Sequence, residues 1–192
     1  MKLSHIYYRD HNVVKLAKDL IGKVLYTHIG GQLTAGIITE TEAYKGVIDK
    51  ASHAFGGRRT SRTEVMYREG GVSYVYLCYG IHYLFNIVTA SSDVPHAILI
   101  RAIKPYKGIE TILKRRNSVT LKKGLCVGPG KVTMALGIDK KHNNLDLCGD
   151  IVWVEEENIK LDRKKILVGP RIGVDYAGED AKLPYRFWVE EV

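Results

Sequence analysis

Gly71-Val-Ser-Tyr-Val-Tyr-Leu-Cys-Tyr-Gly-Ile-His-Tyr-Leu-Phe-Asn-Ile-Val-Thr-Ala90 carries the strongest β signal in the chain. β-Branched and aromatic residues fill it, and only Tyr79-Gly80 interrupts them, which predicts a hairpin with Tyr79 at its tip. A three-residue loop, Tyr79 to Ile81, sets Cys78 opposite His82 and puts Tyr76 and Asn86 on one face two rungs apart, because cross-strand pairing preserves parity. A two-residue loop separates them.

Upstream, Lys23 to His28 and Leu33 to Thr41 read as two more strands, joined through Gly30-Gly31, a pair that adopts positive φ at little cost. Along the second of them Ile38, Glu40 and Glu42 share a parity, so a face that begins apolar ends in two carboxylates, with Glu42 nearer the loop. Before this hairpin, Val13, Leu16, Ala17, Leu20 and Ile21 recur at helical spacing from Asp10 to Ile21, with Asp10 or Asn12 as the cap and Gly22 as the stop. Downstream, His96 to Ile103 is an apolar strand with one charge, Arg101. Ile109, Ile112 and Leu113 mark a helix, and Pro129 to Leu136 a second one with proline at its entry. Ile151 to Val154, Ile166 to Val168 and Phe187 to Val189 are short strands. Gly169-Pro170-Arg171-Ile172-Gly173-Val174 is a loop of the kind that closes over a pocket. The order of elements predicts an α+β fold with a mainly antiparallel sheet, in a single domain spanning 1–192.

The whole-chain quantities fit a globular protein. Of 192 residues, 45% are hydrophobic and 26% charged, which supports one packed core and argues against disorder. No apolar run approaches the roughly 18 to 20 residues that span a bilayer, and the first residues lack the apolar core of a signal peptide, so the expected location is cytoplasmic, with no membrane partner. Cys78, Cys126 and Cys148 form no Cys-x-x-Cys pair, and Cys78 with His82 has no second pair at ligand spacing; no metal is expected. Lys and Arg exceed Asp and Glu by 29 to 21, a formal +8 that favours polyanionic partners. Lys114-Arg115-Arg116, Lys122-Lys123 and Arg163-Lys164-Lys165 read as solvated faces. Gly124 to Gly130 is one residue too long for a nucleotide phosphate loop, and Val132 follows Lys131 where a magnesium-binding Ser or Thr belongs. ATP is not implied, although the amides of that helix entry can hold a backbone phosphate.

Chemistry concentrates between Glu40 and Arg62, where Glu40, Glu42, Tyr44, Asp49, His53, Arg58, Arg59 and Arg62 lie among chain-breaking glycines. Carboxylates are expensive to bury unless they are paired or used. A pocket lined by Tyr44, His53 and Tyr76 would hold a flat, cationic ring by stacking and cation–π attraction. A water-activating carboxylate beside such a ring points to attack on the sugar carbon that bears it, through an oxocarbenium-like transition state. A base within a duplex reaches such a pocket only when flipped out, and a wedge such as Tyr79 then holds the gap.

At these residues the chain resembles the alkyladenine, or 3-methyladenine, DNA glycosylase family. The resemblance rests on Glu40-Thr41-Glu42-Ala43-Tyr44 with Ala51-Ser52-His53, on Tyr74-Val75-Tyr76 with Tyr79-Gly80 and Asn86, and on Arg101-Ala102. It continues through Gly128-Pro129 with Lys131, Arg171-Ile172-Gly173-Val174 and Ala177-Gly178-Glu179. It implies a curved sheet with flanking helices and a protruding, DNA-intercalating hairpin. By the same resemblance Glu42 is the general base, with Arg101 and the Ile172 carbonyl holding the water. Tyr44, His53 and Tyr76 sandwich the base, and Asn86 rejects guanine. Tyr79 intercalates, and Arg58, Arg59, Arg62 and Lys131 face the DNA. The implied enzyme is monofunctional, needs no cofactor, acts as a monomer on double-stranded DNA containing damaged purines, and leaves an abasic site.

Two other readings predict different behaviour. A metal-dependent nuclease would use Glu40, Glu42 and Asp49 as Mg²⁺ ligands. A non-catalytic nucleic-acid binder would use Tyr79 and the arginines alone. Among single residues, Tyr74, Tyr83, His82 and His96 read as packed core, Glu40 as an ion-pair partner, and Asp49 as a turn cap.

Overall fold

The computed structural model describes residues 1–190. Eight strands, β1 (Val24–Ile29), β2 (Gln32–Lys45), β3 (Ser73–Cys78), β4 (His82–Thr89), β5 (His96–Lys107), β6 (Val152–Glu155), β7 (Leu167–Gly169) and β8 (Arg186–Trp188), make one sheet among the described residues. Its order is β3-β4-β5-β2-β1-β6, with β8 paired to β2 and β7 to β8. Every strand pairing is antiparallel, and the curled sheet carries four α-helices, α1 (His5–Tyr8), α2 (Val13–Asp19), α3 (Ile109–Arg115) and α4 (Pro129–Leu136). This is an α+β domain. No helix among the described residues is long and apolar enough to cross a membrane.

β2 organises the sheet. One edge pairs with β5 along most of its length, while the other is shared between β1 at its start and β8 at Glu40–Glu42. The strand therefore runs on to Lys45, past the Thr41 end expected from residue type, because ladders on both edges hold residues that are poor strand formers alone. Its register against β5 shifts on either side of Glu40. That bulge overturns the simple alternation read from the sequence. Ile38 and Ala43 belong to the main core, and the Thr41 hydroxyl donates to the Ala17 carbonyl of α2. Glu40 and Glu42 instead share Arg101. The bulge thus separates Ile38 from the carboxylates that follow it.

The same strands bury both faces. Val75, Phe85, Ile87, Ile98 and Ile100 enter the main core together with Leu16 and Leu20 and with Val132 and Leu136 of α4. Tyr74, Val88 and Ala97, one residue out of phase, pack with Ala54, Val65 and Met66 in a second cluster. The segment from Gly46 to Tyr67, which residue types mark as an open loop, is therefore a chain of short 3₁₀ turns seated on the sheet. Asn12 caps α2 by accepting the Lys15 amide, and Pro129 opens α4. A Cβ at Gly130 would lie 2.8 Å from His82 Cβ, so only glycine lets α4 press this closely on the start of β4. α1 was not foreseen, since four residues show no readable period.

Candidate active site

Glu42 is 0% exposed, and its carboxylate has two hydrogen-bond donors and one ion-pair partner. Oε1 accepts the Ile172 amide at 2.8 Å and lies 3.4 Å from Arg101 Nε, and Oε2 accepts the Tyr44 hydroxyl at 2.8 Å. Burial pushes the Glu42 pKa above the ordinary carboxylate value; Arg101, the Ile172 amide and the Tyr44 hydroxyl pull it back, and Glu40 adds to the rise. Burial, and then the Glu42 charge, holds the Tyr44 phenol far above its usual pKa, so it is a neutral donor. A carboxylate offers about four lone-pair sites. Two donated hydrogen bonds leave it capacity to accept a further one.

Glu40 is an ion-pair partner. Its Oε1 sits 3.1 Å from both Arg101 Nε and Arg186 Nη1, and the Arg186 guanidinium lies over the Trp188 ring at 4.1 Å. β8 brings Arg186 here, from a strand whose pairing with β2 no local pattern announces.

Asp49 and Arg171 form a second, fully buried pair. The side chains are 1% and 0% exposed, and Nη2 meets Oδ1 at 2.9 Å. Asp49 also accepts the amides of Lys45 and Ala51, which makes it the expected turn cap and more. Arg171 donates to the carbonyls of Ala43 and Asp180, and its guanidinium lies 4.8 Å over Tyr44. One ion pair thereby ties the end of β2, the following turn and the loop carrying Ile172. Ile172 enters through its amide, one residue from this anchor.

Above these groups opens a pocket of about 630 Å³. Tyr44, His53, Tyr76, Asn86, Arg101 and Ile172 line it, as do Tyr79, Arg62 and Lys131 near its mouth. Glu42 is not itself a lining residue, but it contacts three that are, Tyr44, Arg101 and Ile172. The His53 ring stands edge-on to Tyr76, with centroids 4.7 Å apart, and Nδ1 hydrogen-bonds the Tyr74 hydroxyl at 2.8 Å. Burial, with the nearby Arg62 and Arg58 charges, lowers the His53 pKa to about 4, so the imidazole is neutral at pH 7. The Arg62 guanidinium lies 4.8 Å over Tyr76. Asn86 is 3% exposed, and its Nδ2 donates to the Tyr74 carbonyl. Cys78 pairs with His82, so the loop has three residues, and Tyr79 at its start is 91% exposed with φ 51°.

Several residues fall elsewhere than their types foretold. Arg59 is committed within the protein, to Glu64 through two nitrogens and to Asp93 at 2.7 Å, with Tyr67 beneath it. Arg58 is exposed and does not line the pocket. Tyr74 is core, as read, but also orients His53. His82 is exposed at the pocket rim instead of packed. Arg171, Arg186 and Tyr176 were missed; Tyr176 lines the pocket at 71% exposure. The three carboxylates of the nuclease reading do not form one ligand set, because Asp49 is turned to Arg171 while Glu40 and Glu42 are shared by Arg101.

Comparison with known proteins adds a separate line of argument. The family model described as methylpurine-DNA glycosylase matches residues 7–192. The chain is 45% identical over 186 residues to a protein of Chlamydia abortus, covering 96% of each. It is 44% identical over 192 residues to one from Desulfitobacterium hafniense, covering 96% of this chain and 93% of that one. Against a protein of Clostridium perfringens it is 40% identical over 199 residues, covering 100% and 97%. All three bear the name 3-methyladenine DNA glycosylase, as an assignment and not a demonstrated activity.

Proposed function

The chain belongs to the methylpurine-DNA glycosylase family, and from that premise we propose that it removes damaged purines from double-stranded DNA by direct hydrolysis of the N-glycosidic bond. The observation that carries this reading is the fully buried Glu42 carboxylate, held by the Ile172 amide, the Tyr44 hydroxyl and Arg101, three residues that also line the aromatic pocket.

In this mechanism a purine flipped out of the duplex enters between Tyr44, His53 and Tyr76. A water at the free acceptor site of Glu42 gives up its proton there as it attacks the sugar C1′, and the glycosidic electron pair leaves with the base. An N3- or N7-alkylated purine already carries positive charge and departs without further help. A neutral lesion such as hypoxanthine also needs a proton on its leaving nitrogen. Arg101 keeps Glu42 ionised and in place, and the oxocarbenium character of the transition state is favoured by the carboxylate charge. Asn86, whose Nδ2 donates to the Tyr74 carbonyl, is assigned the rejection of guanine through its 2-amino group. Tyr79 fills the gap left in the stack, and Arg58, Arg62 and Lys131 meet the phosphates. Arg59 is withdrawn from that group by its own ion pairs.

Lys131 is the one lysine lining the pocket among the described residues, and its Nζ donates to the Gly124 carbonyl. That favours water over an amine nucleophile, hence a monofunctional enzyme that leaves an abasic site unnicked. No step calls for a cofactor. The test is incubation, in EDTA, with duplexes containing 3-methyladenine, 7-methylguanine, hypoxanthine or 1,N6-ethenoadenine, followed by detection of free base and of strand scission. Free base from at least one duplex with intact strands is the expected result. Scission that EDTA abolishes, without base release, would establish the nuclease instead.

A further inference from the structure

Away from the pocket lining, the first turn of α1 and the segment before β6 bring together a histidine, a carboxylate and a thiol. One ligand atom each from His5, Asp146 and Cys148 lies within 4.8 Å of the other two. His5 Nε2 is 3.6 Å from Asp146 Oδ2. That is the edge of a tetrahedron whose corners stand roughly 2.0–2.3 Å from its centre, the bond lengths of zinc to nitrogen, oxygen and sulfur.

The backbone holds this set in place. Asp146 Oδ1 accepts the Cys148 amide at 2.8 Å, which leaves Oδ2 for His5. The Leu147 amide is bonded to the Gly71 carbonyl, and the Leu3 amide to the Val154 carbonyl, so both segments are anchored to the sheet. The thiol contacts the Leu3 carbonyl at 3.5 Å and lies at the His5 backbone amide. Lys2, the nearest cation, is engaged with Asp150 and the Gly149 carbonyl.

A second observation points to a ligand. Tyr8, one turn after His5 on α1 and beside it against Gly71, is 0% exposed, yet its hydroxyl has no hydrogen-bond partner among the described residues. Leaving a buried hydroxyl unpaired costs about 1–3 kcal/mol. A water on a metal bound at these residues would supply the missing partner.

We propose that His5, Asp146 and Cys148 bind a divalent cation of the zinc class, with water in the fourth position, and so pin the start of the chain to the turn before β6. The donor set selects the metal: thiolate and imidazole favour zinc over magnesium or calcium, and the two negative charges of thiolate and carboxylate balance the dication. When the metal binds, the Cys148 thiol gives up its proton to solvent. Local spacing could not announce the site, because His5 is far in sequence from Asp146 and Cys148. The proposal is independent of the reaction at Glu42.

The test is titration of the reduced, chelator-free protein with Co²⁺. One equivalent is expected to produce a thiolate-to-metal charge-transfer band with tetrahedral d–d bands. The charge-transfer band is lost in Cys148→Ser and the tetrahedral spectrum in His5→Gln, while both persist in Cys78→Ser, whose thiol lies beside His82. Zn²⁺ should raise the thermal midpoint of the unsubstituted protein and of Cys78→Ser, but not of Cys148→Ser. His5 is half exposed, so His5→Gln keeps the test open if the cysteine variant fails to fold. No charge-transfer band, or one that survives Cys148→Ser or vanishes in Cys78→Ser, overturns the proposal.

Discussion

The amide of Ile172 donates to Oε1 of Glu42 at 2.8 Å across 130 residues of chain. The amide sits next to Arg171, whose buried pair with Asp49 holds the loop down. Breaking that pair strands a charge in the interior, at a cost of about 3–5 kcal/mol. Asp49→Leu should therefore unfold at much lower urea concentration. The double variant Asp49→Leu/Arg171→Met should recover much of the stability and little of the base release, since the apolar pair no longer fixes Ile172. Full activity in a stable double variant would show that the pair does not position the site.

Glu42→Gln should abolish excision while lesion DNA still binds. Its stability should not fall at neutral pH. The folded pKa of Glu42 is raised, so its stabilising contribution exists below the unfolded pKa and is gone once pH passes the folded value. Glutamine removes a buried charge there. For the same reason, base release by the unsubstituted enzyme should decline on acidification at a pH above 4.5, the ordinary glutamate value. Single-turnover rates against pH, together with urea unfolding of both proteins, check the two statements.

His53 titrates near 4 in the folded protein against an ordinary 6.5. The unfolded chain takes up its proton first on acidification, so the stability held above pH 6.5 is lost as pH falls toward 4. His96, also lowered to about 4 by burial, adds to that loss. His53→Gln should flatten the decline in unfolding free energy between those limits, leaving the His96 share. An unchanged slope would mean that His53 is protonated in the native protein.

Tyr79 is 91% exposed, so Tyr79→Ala should leave the unfolding midpoint unchanged. Stacking on a base is worth about 1–3 kcal/mol. Affinity for duplex containing an abasic analogue should fall accordingly, with excision from single-stranded substrate less affected. Equal affinity of the two proteins for that duplex speaks against a wedge.

Arg58 and Arg59 are neighbours in sequence with different expected effects. Arg58→Ala should reduce the slope of log affinity against log salt by about one, the signature of a lost phosphate contact. Arg59→Ala should leave that slope alone, because Glu64 and Asp93 already hold its guanidinium. Fluorescence titrations of undamaged duplex at several salt concentrations distinguish them.

The strands on either side of Tyr79, the proline-led helix at Pro129 and the cluster of Glu42, Tyr44 and His53 were legible in the chain alone. Each rests on a period or spacing confined to a few residues, which residue type and parity encode directly. Family resemblance then named the chemistry. Tertiary structure decided what depends on partners distant in sequence: the bulge at Glu40 that separates Ile38 from the carboxylates, the Arg186 and Arg171 that neutralise Glu40 and Asp49, and the Ile172 amide on Glu42. It also withdrew Arg59 and brought His5 to Cys148. A buried charge selects its counter-charge by proximity in the folded sheet, and that proximity is set by which edges of β2 are paired, a property no local stretch contains.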